Sequence, residues 1–361
     1  MKCALAPVQN WERGEIERMT ESVSQSDEAK PKPTKRRPRF RAFLRGSALL
    51  FGLLLALLAV DYRAYPYGRA AGGKSFNQGD NGLWLRYTWY FGQHTAAETE
   101  LLARHLQERQ IRYAYFHVRS ITGAGKLAFH YPAQARRLIA ALHHSAPSVK
   151  ALAWVYVGNA QGQGSVRLSD KAVRTAMISE AFWLVNECGF DGVQWDYEIC
   201  EDGDPDFLAL MRETRAALPA DKILSVATPI RFPLRRFGWS DAYFSQVALN
   251  CDQMTVMCYD TGFYFPRSYV WLVRQQALTI PQTVARANPR CRILLGLPTY
   301  GPGFLSHNPR AENIKMALRG VREGLSEAEP NVGSFAGVAL FADYTTEPDE
   351  WDTYRKLWLT P

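Results

Sequence analysis

The sequence predicts an α/β protein, a (β/α)8 TIM barrel preceded by an N-terminal transmembrane signal anchor. Three observations carry that prediction. Short apolar runs alternate eight times with amphipathic, helix-period stretches over the last ~280 residues. The runs are nearly continuous in apolar residues, as parallel strands covered on both faces require. Finally, a charge-free stretch at 46–60 follows a run of basic residues.

The N-terminal segment comes first in the chain. The protein has 361 residues and a formal net charge of +8. Residues 1–45 hold 11 Lys or Arg against 6 Asp or Glu, a net of +5, which leaves only +3 for the rest. A nucleic-acid partner is therefore not expected. Eight basic residues and no acid lie between Lys30 and Arg45, spaced by Pro31, Pro33 and Pro38. With Ala42 to Leu44, and Arg45 able to snorkel, the apolar stretch approaches the ~20 residues that span a bilayer. Strongly positive residues before it and nearly neutral ones after it place the N-terminus in the cytoplasm. We read residues 1–41 as a cytoplasmic basic tail, 42–60 as the anchor, 61–81 as a linker and 82–361 as one extracytoplasmic barrel domain. The basic run serves as a topology signal and a contact for anionic lipid. Cleavage and secretion is the alternative, but no good A-x-A site follows Leu58 and the leader is long.

The eight units follow in order. Strands are expected at 83–91, 112–119, 150–157, 192–198, 223–230, 253–260, 292–300 and 335–344. The helices between them are expected at 95–110, 132–144, 170–188, 206–217, 240–248, 268–287 and 311–323, with a closing helix at 350–359. An open doubly wound sheet fits less well, because no Gly-rich phosphate turn follows the first strand. Of the six cysteines, Cys3 precedes the anchor and Cys188, Cys200, Cys251, Cys258 and Cys291 follow it. No C-x-x-C pair occurs, which removes support for zinc or thioredoxin-type sites. Cys251 and Cys291 are able to pair, but nothing in the sequence requires it.

In this fold active sites sit at the C-terminal ends of the strands. The fourth strand carries Phe190-Asp191-Gly192-Val193-Gln194-Trp195-Asp196-Tyr197-Glu198. Side chains alternate along a strand, so Gln194, Asp196 and Glu198 share one face. A polar row cannot face the helix layer without burying unpaired charge, so it faces the barrel axis with Glu198 nearest the mouth. Two carboxylates roughly 6–7 Å apart in a low-dielectric interior resist ionising together. The protonated one suits general-acid cleavage of a glycosidic bond.

This segment resembles the D-G-x-D-x-D-W-E signature of glycoside hydrolase family 18, the chitinase family. Asp191, Gly192, Asp196 and Glu198 match, Tyr197 replaces Trp, and Gln194 replaces an acid. On the sixth strand Met257-Cys258-Tyr259-Asp260 is similar to the family's M-x-Y-D. On the seventh, Gly296-Leu297-Pro298-Thr299-Tyr300-Gly301 resembles G-x-P-x-Y-G. The resemblance covers the whole barrel. It implies retaining hydrolysis in which the substrate's 2-acetamido group is the nucleophile. Glu198 would be acid and then base, Asp196 would orient the acetamido N–H, and Tyr259 would donate to its oxygen. Gln194, Asp260, Tyr300 and Phe341 would contact substrate, Phe341 taking the place of the family's floor Trp. The partner implied is an N-acetylhexosamine-containing polysaccharide or oligosaccharide, with no cofactor. Only some ten residues separate Tyr300 from the seventh helix, so the groove-deepening insertion of many chitinases has no room. An open cleft favours peptidoglycan or another surface glycan over crystalline chitin.

Further candidates lie at the ends of other strands. Among the aromatics of the first and third strands (Trp84, Trp89, Tyr90, Tyr156), Tyr87 and Trp154 are carried as sugar platforms. Arg119 and Arg231, at strand ends, suit either an anionic substituent or a surface ion pair. The loop 158–164 lacks the Lys-Ser/Thr of a phosphate loop and reads as a cleft rim. The seven His show no metal spacing, and no G-x-S-x-G elbow is present. The chain is expected to be a monomer. Two alternatives remain. One is a non-catalytic sugar-binding relative, kept open by Gln194 and opposed by Glu198. The other is an unrelated barrel glycosidase using Asp260 or Asp343 as a second carboxylate.

Overall fold

The structure is a computed structural model that describes residues 38–67, 75–158, 166–197, 200–232, 238–301 and 307–360. The chain divides into two compact units, Met1–Ala56 and Leu57–Pro361. In the first, the described residues belong to α1 (Pro38–Ala64), whose apolar side chains such as Leu49, Leu50 and Phe51 are exposed. It is the one described helix long and apolar enough to cross a membrane.

The second unit is a closed barrel of eight parallel strands in sequence order. The strands are β1 (Asn81–Leu85), β2 (Ile111–Ser120), β3 (Lys150–Tyr156), β4 (Gly192–Asp196), β5 (Ile223–Thr228), β6 (Gln253–Met257), β7 (Arg292–Pro298) and β8 (Phe335–Phe341). The helices are α2 (Tyr87–Tyr90), α3 (Ala96–Glu108), α4 (Pro132–Ser145), α5 (Lys171–Asn186), α6 (Pro205–Ala217), α7 (Asp241–Ala248), α8 (Pro266–Ala287), α9 (Ile314–Ala328) and α10 (Pro348–Tyr354), followed by a π-helical turn at Arg355–Leu359.

Local sequence explains several helix starts. Thr95 and Glu98 form a reciprocal capping box at α3. Asp170, Asp204, Ser240 and Asn313 each accept a backbone N–H from the first turn they precede. One expectation is corrected here. The first strand stops at Leu85 and the chain turns into α2, so Tyr87 to Tyr90 are helical. Aromatic residues favour strands by packing, and here β8 ends at Phe341, so beyond Leu85 the chain would have a strand on one side only.

Two shells of apolar residues make the core. Leu83, Val193, Trp195 and their equivalents fill the space between barrel and helices. Trp84, Tyr115, Leu152, Trp154 and Leu294 fill the barrel itself. Gly192 marks a close approach, since a Cβ there would stand 2.1 Å from the Ile223 carbonyl oxygen on the neighbouring strand. The five described cysteines are buried thiols, with Cys251 Sγ 3.8 Å from Cys291 Sγ.

Residues 61–67, read from sequence as the start of a linker, finish α1 and form a 3-10 turn held on α8 and α9. Arg267 Nε donates to the Asp61 carboxylate at 3.0 Å. Arg310 donates to the Arg63 carbonyl at 2.8 Å, and Lys315 to that of Pro66 at 2.8 Å. Arg319 lies 4.1 Å above the Tyr65 ring. Tyrosines interleaved with the cations of two helices supply cation–π contacts that a Gly/Ser tether lacks.

Candidate active site

The site is built upward from β4. At its lower end Asp191 fixes the strand, taking a hydrogen bond from the Ala151 backbone at 2.8 Å and standing 2.8 Å from His143 Nε2. Above it the strand alternates as the sequence requires. Trp195 turns outward to Thr214 of α6, and Tyr197 stacks on Phe207. Gln194 and Asp196 turn inward.

Gln194 is fully buried and fully engaged. Its Oε1 accepts from the Trp84 indole at 2.8 Å. Its amide donates to Ser225 at 3.1 Å and to Thr255 at 3.3 Å. Ser225 and Tyr115 in turn donate to Gln253 Oε1, both at 2.8 Å. This polar network ties β1, β2, β4, β5 and β6 together across the barrel axis. A buried amide of this kind is stable only because each of its groups is satisfied.

One layer higher the environment changes. Asp196 is 3 % exposed and accepts from the Trp154 indole at 2.8 Å. Trp154 continues as a ring contact to Phe341, 5.9 Å between centroids. Phe341 stacks on Tyr259 at 4.9 Å and meets Tyr300 edge-on at 6.1 Å. Asp196, Trp154, Tyr259, Tyr300 and Phe341 are thus one connected group at the C-terminal ends of β3, β4, β6, β7 and β8. Burial, and then the charge of neighbouring Asp260, raise the Tyr300 phenol above its ordinary pKa, so it is a neutral donor at pH 7. Asp260 is exposed and holds a left-handed backbone, φ 51°.

The remaining sequence candidates fall elsewhere. Glu198 lies outside the described residues, as do 159–164 of the loop read as a cleft rim. Tyr87 is not brought into the aromatic group. Its ring contacts Phe91 and lies under the guanidinium of Arg119 at 4.8 Å. Arg231 is engaged by Asp241 through two hydrogen bonds, 2.6 and 2.7 Å. Asp343 faces a cavity outside the barrel, lined by Trp89 and α3.

Three participants were not singled out from sequence. Trp84 is the hub beneath Tyr259 and Phe341, and its position next to Leu83 on an inward-facing step was the available signal. His117 stacks 4.1 Å from Trp154, and burial, with Arg119 second, lowers its pKa to about 4. Behind Tyr300, the buried Glu312 accepts the Thr261 N–H at 3.0 Å and its hydroxyl, and stands 3.5 Å from His307 Nδ1. This clasp joins the loops after β6 and β7, residues too distant in sequence for any motif to link.

Solved structures of similar fold include the Bacillus cereus spore cortex-lytic enzyme SleL, with a TM-score of 0.54 at 12% identity over 80% of this chain and 76% of that one. The Ostrinia furnacalis Group IV chitinase gives a TM-score of 0.56 at 13% identity, covering 78% of this chain and 99% of that one. A Cycas revoluta class V chitinase mutant in complex with (GlcNAc)3 gives 0.53 at 13%, covering 77% and 99%. No curated protein sequence matches the chain. Residues 86–357 match the model of glycosyl hydrolases family 18, and the chain belongs to that family of glycosidases.

Proposed function

We propose that the protein is a membrane-anchored, extracytoplasmic glycoside hydrolase that cleaves N-acetylhexosamine-containing glycan with retention of configuration. Glu198 protonates the leaving oxygen while the substrate's acetamido oxygen bonds to the anomeric carbon and the glycosidic bond breaks. The resulting oxazolinium is opened by water, whose proton returns to Glu198. Asp196 accepts the acetamido N–H and stabilises the positive charge. Tyr259 donates to the acetamido oxygen. Trp154, Tyr300 and Phe341 enclose the sugar, Asp260 lies at the rim, and Gln194 supports the floor from below. Tyr87 would touch only a more distant sugar unit.

The observation that carries this reading is the placement of Asp196. It is a buried carboxylate at the mouth end of β4, anchored by the Trp154 indole beside the Phe341–Tyr259 stack. A carboxylate aimed at a ring-lined mouth suits a neutral amide N–H that becomes cationic in the transition state. The family's structural relatives include chitinases and a spore cortex-lytic enzyme, which supports N-acetylglucosamine-containing glycans as the substrate class. The helix within 42–67 supports membrane attachment.

The test compares the full chain with Glu198→Gln on N-acetylglucosamine oligomers and on purified peptidoglycan, with new reducing ends as the readout. Products from the wild type alone support the proposal. Binding without products supports a sugar-binding role, and neither binding nor products removes both glycans as substrates.

A further inference from the structure

A cavity of about 350 Å³ lies outside the barrel, between α3 and α10, with Leu83 of β1 at its base. That volume falls in the range of small-ligand pockets. The wall from α3 is one helical face, formed by Leu102, His105 and Leu106 and ending at Arg109. Asp343, Trp89 and Trp351 complete the lining.

Its charged groups are arranged for a ligand rather than for each other. Arg109 lies on the Trp351 ring, with Cζ 3.6 Å from the centroid. It feels Glu108 and Asp343 through space, yet among the described residues it has no ion-pair or side-chain hydrogen-bond partner. One carboxylate oxygen of Asp343, Oδ1, is buried and has no hydrogen-bond partner among the described residues. Burial raises the Asp343 carboxyl to about 6, against hydrogen bonds from the Trp89 indole and from the backbone N–H groups of Tyr344 and Arg86. His94 and His105 add little charge at pH 7, because burial lowers both pKa values. Glu98 is exposed and spent on the Thr95 capping box. Leu83, Leu101, Leu102 and Leu106 supply the aliphatic part of the same lining.

A lone anion in this space would satisfy Arg109 but repel Asp343, and a lone cation the reverse. A sugar would seek bare indole faces. Here Trp89 is stacked by His94 at 3.6 Å and Trp351 by Arg109. A ligand with both charges and an apolar branch meets every requirement. We propose that the cavity binds a free amino acid or dipeptide with a branched apolar side chain, its carboxylate on Arg109, its ammonium on Asp343 and its side chain among Leu83, Leu102 and Leu106.

The test is calorimetric titration of the full-length chain in detergent with leucine, leucinamide and 4-methylpentanoate. Saturable leucine binding is expected, with each single-charge analogue at least about tenfold weaker. Asp343→Asn should weaken leucine and leave 4-methylpentanoate unchanged. Arg109→Gln should weaken both leucine and 4-methylpentanoate. Leu101→Trp, at an exposed lining position, should fill the space and abolish binding while melting like the wild type, which guards against misfolded variants. Absence of saturable leucine binding, equal affinity for the three compounds, or binding that survives Leu101→Trp would overturn the proposal.

Discussion

Gln194 and Asp196 lie two residues apart on one strand and face the same way, yet they occupy different kinds of position. Gln194 is sealed within the barrel, with its oxygen and both amide protons engaged by Trp84, Ser225 and Thr255. Asp196 stands one layer higher, where strand pairing gives way to the ring cluster of the mouth. The chain departs from the family signature in the sealed layer and keeps it in the open one. A neutral amide below the floor gives up an acid's ability to share a proton with Asp196. In exchange it both donates and accepts in a network that an ionised carboxylate could only accept from.

Changes at the two layers should therefore fail differently. The largest effect is expected at the mouth. Asp196→Asn should lower kcat by ~10²-fold or more, as loss of transition-state charge stabilisation does, with thermal stability nearly kept. Steady-state kinetics beside a melting curve checks this, and equal loss of both would erase the distinction between the layers.

His117 tests the mouth through stability instead. Its folded pKa of about 4 lies below the unfolded value, so the unfolded chain takes up the proton first. Stability is full above about pH 6.5 and falls as the pH drops toward 4, by roughly 3 kcal/mol at most. His117→Phe should flatten that slope in urea unfolding followed across the window. A slope unchanged by the substitution would assign acid sensitivity to another group.

In the sealed layer, Gln194→Ala should cost about 2 kcal/mol, because the Trp84 N–H and two hydroxyls lose a buried partner. The surviving folded enzyme should keep most of its kcat. Gln194→Asp should instead move the pH–rate profile, since it restores an acid beneath Asp196. An unaltered profile would show that the two positions do not communicate electrostatically.

Smaller effects are expected further out. Phe341→Ala should raise KM about tenfold if, as proposed, its ring lies under the sugar. Arg231→Gln should cost less than about 1 kcal/mol, because its pairing with Asp241 is partly exposed and screened.

The barrel was legible because the continuity of eight apolar runs reports burial on both faces, a property local to each run. β4 was the clearest case, where period-two alternation and the cost of burying unpaired charge together sent Gln194 and Asp196 inward and Trp195 outward. β1 was overextended, since 83–91 reads as one strand whereas the chain turns into α2 at Tyr87, past the end of β8 on one side. The aromatic group was half legible. Tyr259, Tyr300 and Phe341 follow motif or strand-end positions, whereas His117 carries no local sign of lying under Trp154. The Glu312–Thr261–His307 clasp was invisible, because it joins loops brought together only by closure of the sheet.

What the sequence determined by itself is the order of strands and helices, the apolar segment at 42–60 and the side of each strand on which its polar residues lie. Each of these follows from periodicity and charge along the chain. Only the tertiary structure decided which polar groups satisfy one another. It made Gln194 a sealed crosslink, joined Asp196 to the ring cluster through Trp154, and left Arg109 and Asp343 facing one cavity without pairing. Those outcomes depend on the distances that barrel closure imposes between elements far apart in the chain.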